Sequence, residues 1–252
     1  LPICDDQITV DNGDNLIMAG DGDDIVDAGN GDNTIFGGDG DDQISAGSGD
    51  NSISGGLGDD DIDAGAGDNT ITGGAGNDGI SVGNGDNLIT GGGGGDHIEL
   101  GSGANMIRYV QVSDSFALAA TRDTIDGFTT DDVFFIETNL LGPGVTSINY
   151  VGDATDSQEA EIGIEQTAND GVADAVFDLS TGRLLIDVDD DGELSGQDLV
   201  INVNGNSPLP AGTLSNANFI IGDMIQPATP WLDLLASSDT GASSTDDLTN
   251  DA

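Results

Sequence analysis

The chain has 252 residues, and its 48 acidic side chains against three arginines and no lysine leave a formal charge of −45. That charge excludes nucleic acid as a partner and disfavours anionic membrane surfaces. Aromatic content of 4% with 41 glycines argues against one large globular core, and no run of eighteen apolar residues is present to span a membrane.

From Leu1 to Arg108 the sequence repeats every nine residues, as in Ala19-Gly20-Asp21-Gly22-Asp23-Asp24-Ile25-Val26-Asp27. The eighth position is Ile8, Ile17, Val26, Ile35, Ile44, Ile53, Ile62, Ile71, Ile80, Ile89, Ile98 and Ile107. The sixth alternates between Asp (Asp6, Asp24, Asp42, Asp60, Asp78, Asp96) and Asn (Asn15, Asn33, Asn51, Asn69, Asn87, Asn105), so the true period is eighteen. Glycine admits the positive φ of tight turns, and a single branched residue between polar neighbours points inward from a short strand. Two turns and two strands close one coil, and six coils stack Ile on Ile. No coil folds alone.

The pattern resembles the repeats-in-toxin (RTX) family, whose nonapeptide G-G-x-G-x-D-x-U-x forms a calcium-binding parallel β-helix. Gly37-Gly38-Asp39-Gly40-Asp41-Asp42-Gln43-Ile44-Ser45 matches every fixed position. The resemblance implies an all-β, right-handed parallel β-roll over residues 1–108, with the sixth-position Asp as the side-chain calcium ligand and turn carbonyls completing the shell.

Electrostatics points the same way. Stacked carboxylates ~4.7 Å apart repel by roughly 3.5 kcal/mol per pair at an effective dielectric of 20. Over the column Asp6, Asp24, Asp42, Asp60, Asp78 and Asp96 this outweighs the ~5–15 kcal/mol stability of a typical domain, so a dication is required. Oxygen donors in an irregular shell suit Ca2+. On the other edge two accounts stand: Asn15, Asn33, Asn51, Asn69 and Asn87 bind calcium more weakly, which is the reading adopted, or they stack as a hydrogen-bonded amide ladder. The outward residues that follow the Asn turns are nearly neutral. Thr34, Ser52, Thr70, Thr72 and Thr90 make that face a candidate surface for ice, a polysaccharide or a protein partner, set against an ordinary β-rich surface covered by the rest of the chain.

Residues 109–222 read as a β-rich cap. Tyr109–Val112 is an expected strand, and residues 113–122 a short helix or covering loop. The run Asp123-Thr124-Ile125-Asp126-Gly127-Phe128 and Asp131-Asp132-Val133-Phe134-Phe135-Ile136 is similar to the segment after the roll in serralysin-type proteases, as is the order around Phe177–Arg183. Further strands are expected at 147–151, 161–165, 173–179, 184–188, 199–203 and 218–221. Asp187, Asp189, Asp191, Gly192 and Asp198 fall at positions 1, 3, 5, 6 and 12 of an EF-hand loop, with Glu193 between. A strand precedes this loop, so it is an EF-like calcium loop without the paired helices, and it resembles dockerin repeats. Residues 223–252 read as a flexible acidic tail; the RTX resemblance implies a C-terminal signal for type I secretion machinery there.

Cys4 is the only cysteine, so no internal disulfide forms. No N-terminal signal peptide is visible, and the chain reads as a fragment or a processed product. With one histidine and no H-E-x-x-H, G-x-S-x-G or phosphate loop, no catalytic residue is assigned. The expected protein is not an enzyme but a secreted or cell-surface calcium-binding module that folds on extracellular calcium. An adhesin or ordered-surface binder and an auxiliary module of a polysaccharide enzyme are the competing readings.

Overall fold

The computed structural model describes residues 4–110, 122–155, 171–192, 198–203 and 209–222. The chain divides into two units, 1–222 and 223–252, and the second lies outside the described residues. So do residues 113–121 of the expected short helix or covering loop at 113–122, the expected strand at 161–165, and Glu193.

The eighteen-residue period resolves into two unlike strand series. One holds three-residue strands: β1 (Gln7–Thr9), β3 (Ile25–Asp27), β5 (Gln43–Ser45), β7 (Asp61–Asp63), β9 (Gly79–Ser81) and β11 (His97–Glu99). The other holds longer strands: β2 (Leu16–Asp21), β4 (Thr34–Asp39), β6 (Ser52–Leu57), β8 (Thr70–Ala75), β10 (Leu88–Gly93) and β12 (Met106–Tyr109). Each strand pairs in parallel with the strand eighteen residues on. Val26 meets Ile44, Ile35 meets Ile53, and the register holds to Ile80↔Ile98 and Ile89↔Ile107. The inward residues from Ile35 to Ile107 are at most 5% exposed, because alternation on so short a strand sends one side chain per strand into the coil. Each buried Ile contributes roughly 1.5–3 kcal/mol, which only the coil above and below makes available. The all-β parallel roll is as expected.

The stack does not end at Arg108. β13 (Thr124–Asp126) pairs with β11 through Ile98↔Ile125, and β14 (Val133–Glu137) pairs with β12 through Ile107↔Phe134. A further coil is thus laid on the sixth, displaced by twenty-seven residues rather than eighteen. Both sheets then continue into the cap. β15 (Ser147–Ala154), β16 (Val172–Asp178), β17 (Arg183–Asp187) and β18 (Leu199–Val203) extend the first sheet to eleven strands in the order β13-β18-β17-β16-β15. β19 (Phe219–Gly222) closes the second on β14. The core changes from Ile to aromatic at this end: Phe128 stacks on Phe134 at 4.6 Å, with Tyr109 and Phe219 against the same ring. Among the described residues there is no α-helix, only single 3-10 turns at Thr138–Leu140 and Asn216–Asn218.

Candidate metal centre

Every turn of the roll is held by contact with the turn before it. At Gly40 φ is +133°, and a Cβ there would lie 2.3 Å from the carbonyl oxygen of Gly22. Only glycine allows coils to approach this closely.

On the Asp edge the sixth-position carboxylates are buried: Asp24, Asp42, Asp60, Asp78 and Asp96 are 1–2% exposed. Each Oδ1 accepts the backbone N–H of the Asp one coil earlier, for example Asp24 N–H to Asp42 at 2.8 Å and Asp42 N–H to Asp60 at 2.9 Å. The first rung, Asp6 N–H to Asp24, closes at 2.7 Å, and the series continues through Asp60 to Asp78 and Asp78 to Asp96. It extends past the repeat, where Asp123 accepts the N–H of Asp96 at 3.0 Å. The second oxygens, Oδ2 of Asp24, Asp42, Asp60 and Asp78, are buried without a hydrogen-bond partner. They point into space kept open by glycine, since a Cβ on Gly37 would sit 2.3 Å from Asp42 Oδ2 and 2.6 Å from Gly55 O. Gly55 and Gly73 stand in the same relation to Asp60 and Asp78. Burial, with neighbouring carboxylates adding to it, raises Asp42 above the ordinary carboxylate range, Asp60 to about 7 and Asp78 to about 6.

On the Asn edge the same geometry is hydrogen-bonded throughout. Asn51 Oδ1 accepts both the N–H (3.0 Å) and the Nδ2–H (3.1 Å) of Asn33. Asn51 Nδ2 in turn donates to Gly49 O at 2.8 Å, Ala64 O at 3.3 Å and Asn69 Oδ1 at 3.0 Å. Asn15, Asn33, Asn69 and Asn87 repeat the bond to the following rung. The ladder ends on Asp132, whose Oδ1 takes both N–H and Nδ2–H of Asn105 while Oδ2 takes Thr129 N–H and Oγ1–H.

Asp123 and Asp132 are therefore the residues that complete the two columns, not the neighbouring Asp126 and Asp131. The sequence signal for them exists: Asp123-Thr124-Ile125 and Asp132-Val133-Phe134 each keep the acid-x-apolar end of the nonapeptide.

In the cap, Asp187, Asp189 and Asp191 each place a carboxylate oxygen within 4.8 Å of the other two. Asp187 Oδ1 and Asp189 Oδ1 are buried with no hydrogen-bond partner, while Asp187 Oδ2 accepts Gly192 N–H at 2.9 Å. Burial, with Asp189 adjacent, raises Asp187 above the usual carboxylate range. Asp198 is fully buried and its Oδ1 accepts Val188 N–H at 3.1 Å, so it closes the base of the loop.

The candidate surface residues share the outer side of the second sheet. Thr34, Ser52 and Thr70 are in cross-strand register, and so are Thr72 and Thr90. Ser52, Thr70 and Thr72 are exposed, but Thr90 is 7% exposed and is withdrawn from that surface. Arg108, which follows the last Asn turn on β12, is paired with Glu137 at 2.5 Å. Cys4 is a free, exposed thiol.

A stacked parallel solenoid with a buried, half-unsatisfied carboxylate column defines the class as a β-roll with a candidate metal column. Residues 5–35, 36–71, 45–80, 54–87 and 72–107 match the family model described as the RTX calcium-binding nonapeptide repeat (4 copies), so the repeat region is an RTX β-roll. Among solved structures the chain is similar to the solution structure of the AlgE6R2 subunit from the Azotobacter vinelandii mannuronan C5-epimerase. Identity is 18% over 69% of this chain and 94% of that chain, with a TM-score of 0.42. A search of curated proteins finds no match. The donor set fits the calcium of the family: buried carboxylate oxygens lacking partners, beside glycine carbonyls, in space a side chain would fill.

Proposed function

We propose that residues 1–222 are the calcium-dependent folding module of an exported or cell-surface protein. The chain passes unfolded through type I secretion machinery in low calcium and winds into the roll on reaching extracellular calcium. The observation that carries this reading is the buried column of carboxylate Oδ2 atoms on Asp24, Asp42, Asp60 and Asp78. Buried charge without a partner costs several kcal/mol per ion, so the free energy of calcium binding becomes free energy of folding. Asp6 and Asp96 extend the column at its ends, and Asp187, Asp189 and Asp191 supply a further site in the cap, with Glu193 and Asp198 completing the EF-like ligand set.

The test is a calcium titration of chelator-treated protein followed by far-UV circular dichroism. A cooperative rise in β-signal at millimolar calcium or below supports the reading. Identical spectra and melting points with and without chelator overturn it. The module's own residues hold the metal, position the turns and exclude water from the column; no catalytic role is assigned to any of them.

A further inference from the structure

The two edges of the roll differ in turn backbone, with Gly29, Gly47 and Gly65 at φ of +65, +72 and +67° where Gly38, Gly56 and Gly74 hold +134, +134 and +135°, yet both carry a sixth-position side chain whose Oδ1 accepts the N–H of the preceding rung. At the Asn edge, Nδ2 of Asn51 fills a pocket of acceptors made by Gly49 O, Ala64 O and Asn69 Oδ1. Around Asp42 the groups in the same relation are Gly55 O and Asp60 Oδ1, and the buried atom beside them is Oδ2, which has no hydrogen to give. One edge is therefore a closed set of donors and acceptors, and the other is a cage of oxygens alone. Residue choice five positions earlier follows the division. Gly37, Gly55, Gly73 and Gly91 precede Asp rungs, where a Cβ would fall 2.1–2.4 Å from the carboxylate. Ala28, Ala46, Ala64 and Val82 precede Asn rungs and are buried there. Ala19 is the exception, in the first of the Asp turns with a full coil before it.

Resting on the calcium reading above, we infer that calcium enters the Asp edge only, and that the Asn edge is a metal-free hydrogen-bonded spine running from Asn15 to Asp132. A cation on the Asn edge has to displace the amide N–H groups and compete for oxygens that already accept two bonds each, with no charge at the sixth position to reward it. The acids one residue earlier, Asp32, Asp50 and Asp68, are exposed and accept the N–H of the next coil. The chain thereby departs from a roll loaded on both sides. One side is a switch that responds to calcium, and the other fixes coil register through amide hydrogen bonds once the chain winds.

Calcium counting on the full chain, by native mass spectrometry and equilibrium dialysis with radioactive calcium, decides it. Single-edge loading gives about six ions on the roll, one for each gap between successive carboxylates from Asp6 to Asp123, and one more from the cap loop. About twelve on the roll overturns the inference and leaves the calcium-folding reading intact; no bound calcium overturns that reading instead. The N51A/N69A double variant gives an independent check. Its calcium count equals that of the unaltered chain if the amides are not ligands, and falls if they are. Should that variant not fold, the count on the unaltered chain stands as the deciding measurement.

Discussion

Asp60 shows at one residue why the roll needs a counter-ion. It is 2% exposed, one oxygen is spent on the Asp42 amide, and the other meets only acceptors. Replacing it by Asn puts a donor where Oδ2 was and converts one Asp rung to the Asn pattern. Asp60→Asn is expected to raise the melting temperature in chelator, and to lower the calcium count by one or two ions in the dialysis experiment. A melting temperature that drops in chelator contradicts the account. Gly55→Ala tests the same cage from its other wall. The added Cβ lies 2.2 Å from Asp60 Oδ2 and 2.6 Å from Gly73 O, an overpacking cost of about 1–3 kcal/mol readable by thermal denaturation with calcium present. The sequence displayed this division openly, as Gly before Asp rungs and Ala or Val before Asn rungs. The account of Asn as a weak ligand leans on the self-repulsion of the acids one residue earlier, Asp14, Asp32, Asp50, Asp68 and Asp86. The alternative account, the amide ladder, rests on polarity instead: an amide satisfies the pocket with its own hydrogens.

At the scale of elements, the nonapeptide made the strands of the roll and their register legible, because a fixed Ile phase allows one stacking. The coil formed by β13 and β14 was less visible. The spacing there jumps from eighteen to twenty-seven residues, and between β12 and β14 Gly127 (φ +83°) is the one glycine left to announce a turn. What persists is the acid two residues before the inward side chain, Asp123 before Ile125 and Asp132 before Phe134. The cap strands Leu199–Val203 and Arg183–Asp187 were legible from apolar runs between turn residues, but their partners were not, since β18 joins the roll in parallel at β13 and its neighbour β17 in antiparallel. Phe134 is the hinge of this arrangement, stacked on Phe128 and facing Phe219 beneath Ile107. Phe134→Ala is expected to cost about 3–5 kcal/mol in denaturant unfolding with calcium present, as for other fully buried aromatics. A loss below 1 kcal/mol indicates that the cap does not rest on the roll's last layer.

Across the whole molecule, charge sets an opposite response to pH in the two metal states. Burial raises the folded pKa of Asp60 to about 7 and of Asp78 to about 6, and raises Asp42 in the same direction, above an unfolded value near 3.8. Between pH 4 and 7 the metal-free fold then binds more protons than the unfolded chain, so its stability falls as pH rises through that window. Calcium competes with those same protons, so in saturating calcium binding strengthens as they leave, and stability rises over the same interval. Melting temperature plotted against pH should slope down in chelator and up in calcium. The general repulsion of a chain carrying −45 also slopes down in chelator, but it acts between exposed charges. In 1 M potassium chloride the screening length shrinks to about 3 Å and that part is lost, whereas the column is shielded from salt by burial. A downward slope that survives 1 M salt locates the effect in Asp42, Asp60 and Asp78. One that vanishes assigns it to the surface and removes the buried carboxylates as the reason the roll awaits its metal.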